Sequence, residues 1–212
     1  MSYNRKAALA YAELFAKRVC HDGMVAARPL NLKFQRGRPF SELKSNGPIQ
    51  GEDDCTHFIS CCVGIVQGPI KLDGITHHLR GGGINLNHPI PGIYGETFTP
   101  RAVGQLQMKG GLRIVHPQFM DMDKDQGAGG VNVTRAAIRK NLRTGDLLAY
   151  ASDKILNRID GTGHYGHMAM IATLNSTNNP GKVGIACHTA ERFDVDFTDV
   201  KSFPFVTLLR FP

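Results

Sequence analysis

The run Asp54-Cys55-Thr56-His57-Phe58 places a cysteine where the chain could make a nucleophile of it. The reactive form of cysteine is the thiolate, which is favoured at a helix start. There, N–H groups without intrahelical partners and the helix dipole both stabilise negative charge. Cys55 falls in the first turn of a helix expected over roughly 54–67, with Asp53 or Asp54 as N-cap and Phe58, Cys62 and Ile65 along one face. A cysteine is equally at home as a small buried hydrophobe. Cys61, Cys62 and Cys187, set among apolar neighbours, read as packing residues, and Cys20 at the end of the first helix has no evident role.

A thiolate nucleophile needs a base, usually histidine, held by a third polar group. His167 opens the strand-like run His167–Ala172 directly after the glycine-rich 160–166 stretch. A strand start at a loop mouth can face a cleft and still be rigidly placed. The turn cluster Asn178-Asn179-Pro180-Gly181 joins this run to 182–188 as a hairpin. Centring that turn between Asn178 and Asn179 makes paired positions sum to about 357, give or take two. His167 then lies opposite His188 or its near neighbours. His188 is the expected orienting group, with Glu191 and Asp194 as alternatives. Asp54, Thr56 and Glu191 are candidate supporting groups, and a backbone N–H at the helix start is the candidate oxyanion donor.

The elements that must position these residues read as follows. Residues 3–20 form a helix capped by Asn4 or Ser2, with Ala8, Tyr11, Ala12, Phe15 and Val19 at helical spacing. The 21–50 stretch, punctuated by Pro29, Pro39, Pro48, Gly23, Gly37 and Gly47, is an extended connection. From about 68 to 130 the chain is rich in glycine and proline and reads as an insertion or a set of loops, with a short helical or strand piece around Ala102–Met108. A short helix is expected over 132–141, strands over 146–151, 167–174 and 182–188, and a closing strand over 205–211. Helices followed by an antiparallel sheet make a single α+β domain over residues 1–212.

Several of these segments resemble one family. Asp54-Cys55-Thr56-His57-Phe58-Ile59-Ser60 is similar to the Asp-Cys-Thr-Asn-Phe-Val-Ser signature of the amidase domains in the papain-like cysteine hydrolase superfamily, which includes the NlpC-type and CHAP-type cell-wall hydrolases. The opening Tyr3-Asn4-Arg5-Lys6-Ala7-Ala8 resembles that domain's N-terminal helix, and Thr144-Gly145-Asp146-Leu147-Leu148 its Gly-Asp-Leu element. Gly166-His167-Met168-Ala169-Met170-Ile171 resembles the histidine strand, and His188-Thr189-Ala190-Glu191-Arg192 the His-Thr-x-x-Arg element. The resemblance implies a papain-like fold with Cys55 as nucleophile, His167 as base and His188 as third polar residue. It also implies an amide of bacterial peptidoglycan peptide as substrate. His57 and Cys61 depart from the pattern, standing where the family has asparagine and glutamine.

Composition bounds the remaining classes. The chain has 212 residues, 42% of them hydrophobic and 20% charged, which excludes wholesale disorder. Its net charge of +7 favours an anionic partner, and the bacterial wall is one. Basic residues such as Arg28, Arg36, Arg38 and Lys44 are scattered rather than interleaved with stacking aromatics, so no nucleic acid is expected. Five cysteines cannot all pair internally, and none stands in a CxxC motif, so no metal and no cofactor is expected. Asp121–Asp125 has acids at alternate positions but lacks the glycine and twelfth-position carboxylate of a calcium loop, and reads as a solvated turn. A zinc site from His164, His167 and His188 competes with the cysteine reading and is set aside. Gly81-Gly82-Gly83 lacks the Lys-Ser/Thr of a phosphate loop and reads as flexible. Neither a secretory leader nor a membrane span is legible. The expectation is synthesis in a bacterial cytoplasm and action in the periplasm or wall after export by a route without a cleaved leader. Delivery by a contact-dependent, type VI-like secretion machine would make the chain an antibacterial effector toxin, partnered by a carrier and an immunity protein. A papain-like hydrolase of protein amides, or a non-catalytic basic binding domain, is the competing expectation.

Overall fold

The computed structural model describes residues 2–26, 31–33, 35–39, 42, 54–66, 68–86, 99–116, 141–151, 165–174, 183–188, 192–197 and 205–212. Helix α1 (Arg5–Phe15) starts where the Asn4 side chain accepts a 3.0 Å hydrogen bond from the N–H of Ala7. Ala8, Tyr11, Ala12 and Phe15 form its buried stripe. The helix stops short of the expected residue 20, because Arg18 leaves it to bridge Pro39. Within the stretch expected to be irregular, β1 (Met24–Ala26) and β2 (Asn31–Lys33) pair as an antiparallel ribbon.

Helix α2 (Cys55–Val63) is buried along its whole length, its polar Thr56, His57 and Ser60 included. Its C-terminal carbonyls are satisfied by the segment expected to be flexible. Gly82 N–H donates to Cys62 O at 2.8 Å, Gly83 N–H to Gly64 O at 2.9 Å and Ile84 N–H to Val63 O at 3.0 Å. A Cβ on Gly82 would lie 2.6 Å from the Tyr3 ring and 2.7 Å from the Val63 carbonyl. Close packing, rather than flexibility, explains the glycine there.

The stretch expected as an insertion contributes to the core. It supplies the hairpin of β3 (Ile70–Leu72) and β4 (Ile75–His77), then α3 (Thr99–Gly110) and β5 (Arg113–His116). Ala102, Val103 and Leu106 of α3 pack with α1 and α2 in one core cluster. Further strands are β6 (Leu147–Ala151), β7 (Tyr165–Leu174), β8 (Val183–Cys187), β9 (Arg192–Asp196) and β10 (Phe205–Arg210). With β5 they form a six-stranded antiparallel sheet in the order β5-β10-β6-β7-β8-β9. Met170 pairs with Ala186 and Ile171 with Ile185, within a residue of the expected hairpin register.

Side chains alternate across this sheet. One face carries Leu147, Ala149, Met168, Met170 and Ala186 against Phe15 and Phe58 of the helices. The other carries Leu148, Tyr150, Ala169, Ile171, Ile185 and Cys187 in a second cluster. The molecule is therefore α+β. Among the described residues no helix is long and apolar enough to cross a membrane.

Candidate functional site

Cys55 is the first residue of α2 and is buried. Its Sγ lies 3.7 Å from Thr56 Oγ1, and it hydrogen-bonds the imidazole of His167 near the start of β7. The start of α2 and the third residue of β7 thus meet at a thiol and an imidazole. His167 also hydrogen-bonds Cys187 and lies beside Tyr150, ring centroids 5.3 Å apart, across the β6–β7 pairing. Burial alone would push this imidazole down. The negative charge of Cys55 and the hydrogen bonds to Cys187 and Cys55 outweigh burial and lift it to about 10. His167 therefore holds its proton beside the Cys55 sulfur.

His188 sits elsewhere. Because neighbours alternate along β8, Cys187 joins the His167 face while His188 turns toward the helices. Its Nε2–H donates to the carbonyl of Phe15 at 2.7 Å, its Nδ1 hydrogen-bonds the Asp54 carboxylate, and Phe58 stacks on the ring at 4.1 Å between centroids. Both ring nitrogens are thus engaged away from His167, so the structure does not join the two histidines as an orienting pair. Of the alternatives, Asp194 hydrogen-bonds Thr173, and Glu191 lies outside the described residues. His164 and the Asp121–Asp125 turn lie outside them as well.

Asp54 does not cap the helix with its side chain. Instead it holds two histidines, His188 through one oxygen and His57 Nδ1 through the other at 3.0 Å. Burial would raise this carboxyl, yet the charge of His57 and the bonds from His188 and His57 bring it down to about 2. His57 is pushed down by burial and up, by more, through Asp54 and Asp22; the net shift is well above the ordinary histidine range. Its Nε2 lies 2.8 Å from Asp22 Oδ2 and 3.5 Å from Cys61 Sγ. Cys20, at the chain's exit from α1, joins the same group.

The sequence reading missed this buried Cys20–Asp22–His57–Cys61 cluster. The signals were present in the Cys20-x-Asp22 and His57-x-x-x-Cys61 spacings, the latter one helical turn apart. None of the five cysteines is in a disulfide. A separate cleft lined by Ile65, Val66, His78 and Arg80 lies at the opposite end of α2 from Cys55.

Fold and site define an α+β protein with a buried cysteine–histidine pair at the junction of a helix and a strand. No protein-family model, no curated protein and no solved structure matches the chain.

Proposed function

We propose that the chain is a cysteine amidohydrolase of papain-like architecture acting on amide bonds of bacterial peptidoglycan peptides. The observation that carries the reading is the hydrogen-bonded pair of Cys55 at the start of α2 and His167 on β7. The Cys55 thiolate attacks the amide carbonyl, and a backbone N–H at the helix start stabilises the oxyanion. Protonated His167 gives its proton to the departing amine as the C–N bond breaks, leaving a thioester on Cys55. Neutral His167 then takes a proton from water, the hydroxide attacks the thioester, and the acid product leaves as the thiolate and imidazolium are restored.

His188 takes a positioning role in this scheme. Through Asp54 it ties β8 to the residue preceding the nucleophile, and through Phe15 to α1. The net charge of +7 suits an anionic wall polymer, and the family resemblance of the cysteine and histidine segments supplies the substrate class. A role as a wall-directed antibacterial effector, with an immunity protein that covers the Cys55 end of α2, follows from the same resemblance.

Mass spectrometry of purified sacculi after incubation with wild type and Cys55→Ala tests the reading. Wild type is expected to release peptide fragments that identify the bond cut, and Cys55→Ala to slow release about a thousandfold or more. Equal release by the two proteins would remove Cys55 from the mechanism. Binding of sacculi without release by either would favour a binding domain.

A further inference from the structure

The donor cluster between α1 and α2 carries an inference independent of the Cys55 chemistry. We infer that Cys20, Asp22, His57 and Cys61 form a structural zinc site. Three side chains converge, Sγ of Cys20, Nε2 of His57 and Sγ of Cys61 within 4.8 Å of one another, and Asp22 Oδ2 borders them at 3.8 Å from Cys61 Sγ and 2.8 Å from His57 Nε2. All three members of the Cys–His–Cys group are buried, and the Asp22 side chain is inaccessible too.

The spacing suits a tetrahedral ion. Zn–S bonds of about 2.3 Å and Zn–N bonds of about 2.0 Å place sulfur and nitrogen about 3.5 Å apart along a tetrahedral edge. Cys61 Sγ and His57 Nε2 are 3.5 Å apart. The 2.8 Å Asp22–His57 contact is shorter than such an edge, so Asp22 must turn away from His57 to join the ion as a fourth ligand.

The surroundings are those of a metal-bound imidazole. His57 Nδ1 is held by Asp54 at 3.0 Å, the carboxylate–histidine arrangement that fixes tautomer and ring direction at zinc sites. Asp22 uses its other oxygen, Oδ1, to accept from the N–H of Met24 at 3.0 Å, leaving Oδ2 to face the cluster. The Cys20–Asp22 segment is itself pinned, because Tyr11 Oη hydrogen-bonds both Nδ1 and the backbone N–H of His21. Two buried sulfurs and one imidazole, with a carboxylate beside them to complete a tetrahedron, select zinc over magnesium or calcium. On binding, the ion displaces the protons held by the two thiols and by His57 Nε2, and no electrons move.

The test uses the full chain, reduced, stripped of metal and titrated with Zn²⁺ or with Co²⁺ as a spectroscopic stand-in. One equivalent of metal per chain is expected. Its Co²⁺ form should show a thiolate-to-metal charge-transfer band and the intense visible bands of a tetrahedral complex. Cys61→Ser is expected to weaken binding by at least about tenfold, and Asp22→Asn to weaken it while leaving the charge-transfer band in place. Wild type alone keeps the inference falsifiable should a variant fold poorly. Absence of stoichiometric uptake, weak octahedral Co²⁺ bands without thiolate character, or a Cys20–Cys61 disulfide in chain purified under reducing conditions would each overturn it. Metal content is read without any substrate, so the result stands apart from that of the sacculus assay.

Discussion

At the scale of single residues, His167 makes a pH-dependent prediction. The charged and titratable groups around it are Cys55 from α2, Cys187 from β8 and Tyr150 from β6. Burial lowers its pKa, but the Cys55 charge and the two thiol hydrogen bonds raise it to about 10. A raised folded-state value means that the proton stabilises the fold fully below about pH 6.5, the unfolded value, and that this contribution is lost as pH climbs through about 10. The stability advantage of wild type over His167→Gln is therefore expected to shrink between neutral pH and pH 10 in parallel thermal melts. A gap that widens with pH would contradict the thiolate–imidazolium assignment. Asp54 makes a second prediction at this scale. It is buried between two histidines, so Asp54→Asn is expected to cost on the order of 3 kcal/mol in denaturant unfolding. Asp73, whose side chain is 68% exposed in its pair with Arg18, should cost less than about 1 kcal/mol when replaced by Asn. Equal costs would mean that the Asp54 network does not hold the helix start. The placement of Cys55 at a helix start was legible in the sequence because local pattern marks that boundary, whereas His167, expected to open its strand, lies two residues inside it. The partner of His188 was not legible. Strand alternation sends adjacent Cys187 and His188 to opposite faces, and a hairpin register known only to within two residues cannot tell them apart.

Elements were legible to the extent that their signals are local. The Asn4 cap, the α1 stripe, the β7–β8 hairpin and the closing strand all follow from capping, periodicity and turn chemistry. Tertiary pairing decides the rest. Ala102, Val103 and Leu106 read as fragments within a glycine-rich stretch, yet their helix completes the core against α1 and α2, and β5 finds its partner in β10 near the other end of the chain. The glycine triplet illustrates the same limit. Composition suggests mobility, whereas the backbone N–H groups of Gly82 and Gly83 close the end of α2, and Gly82 O receives the N–H of Asn4 at 2.9 Å. Gly82→Ala would press a methyl group against the Tyr3 ring and the Val63 carbonyl, so it is expected to destabilise the fold by about 1–3 kcal/mol. Gly83 carries a test of specificity. No atom lies within 4 Å of the position its Cβ would take, but its φ of +81° makes Gly83→Asn, a residue that tolerates the left-handed region, milder than Gly82→Ala. Thermal melts of the two variants should fall in that order, and the reverse order would mean that the triplet is not packed as described.

Across the whole molecule, one buried carboxylate joins segments that are remote in sequence. Asp146 accepts from the backbone N–H of Arg143 at 2.9 Å, from Arg210 Nε at 2.9 Å and Nη2 at 2.6 Å, and lies 3.7 Å from Arg5. It therefore binds the first helix and the last strand to the turn that enters β6. The turn depends on Gly145, at φ +82°, where a Cβ would strike the Arg5 side chain at 2.4 Å. β10 lies between β5 and β6, so among the described residues the edge strand contributed by the middle of the chain attaches to the sheet through it. Loosening Asp146 should consequently loosen α1, β5 and β10 together rather than one locally. Asp146→Ala removes a fully buried acceptor and leaves Arg210 with the Asn141 carbonyl and solvent, a change expected to cost on the order of 2–3 kcal/mol. Amide exchange read along the chain separates the two outcomes. Protection should fall in α1, β5 and β10 alike if Asp146 is their common tie. Loss confined to residues 143–147 would show that the helices and the sheet cohere through their apolar contacts alone, and that the carboxylate merely shapes its own turn.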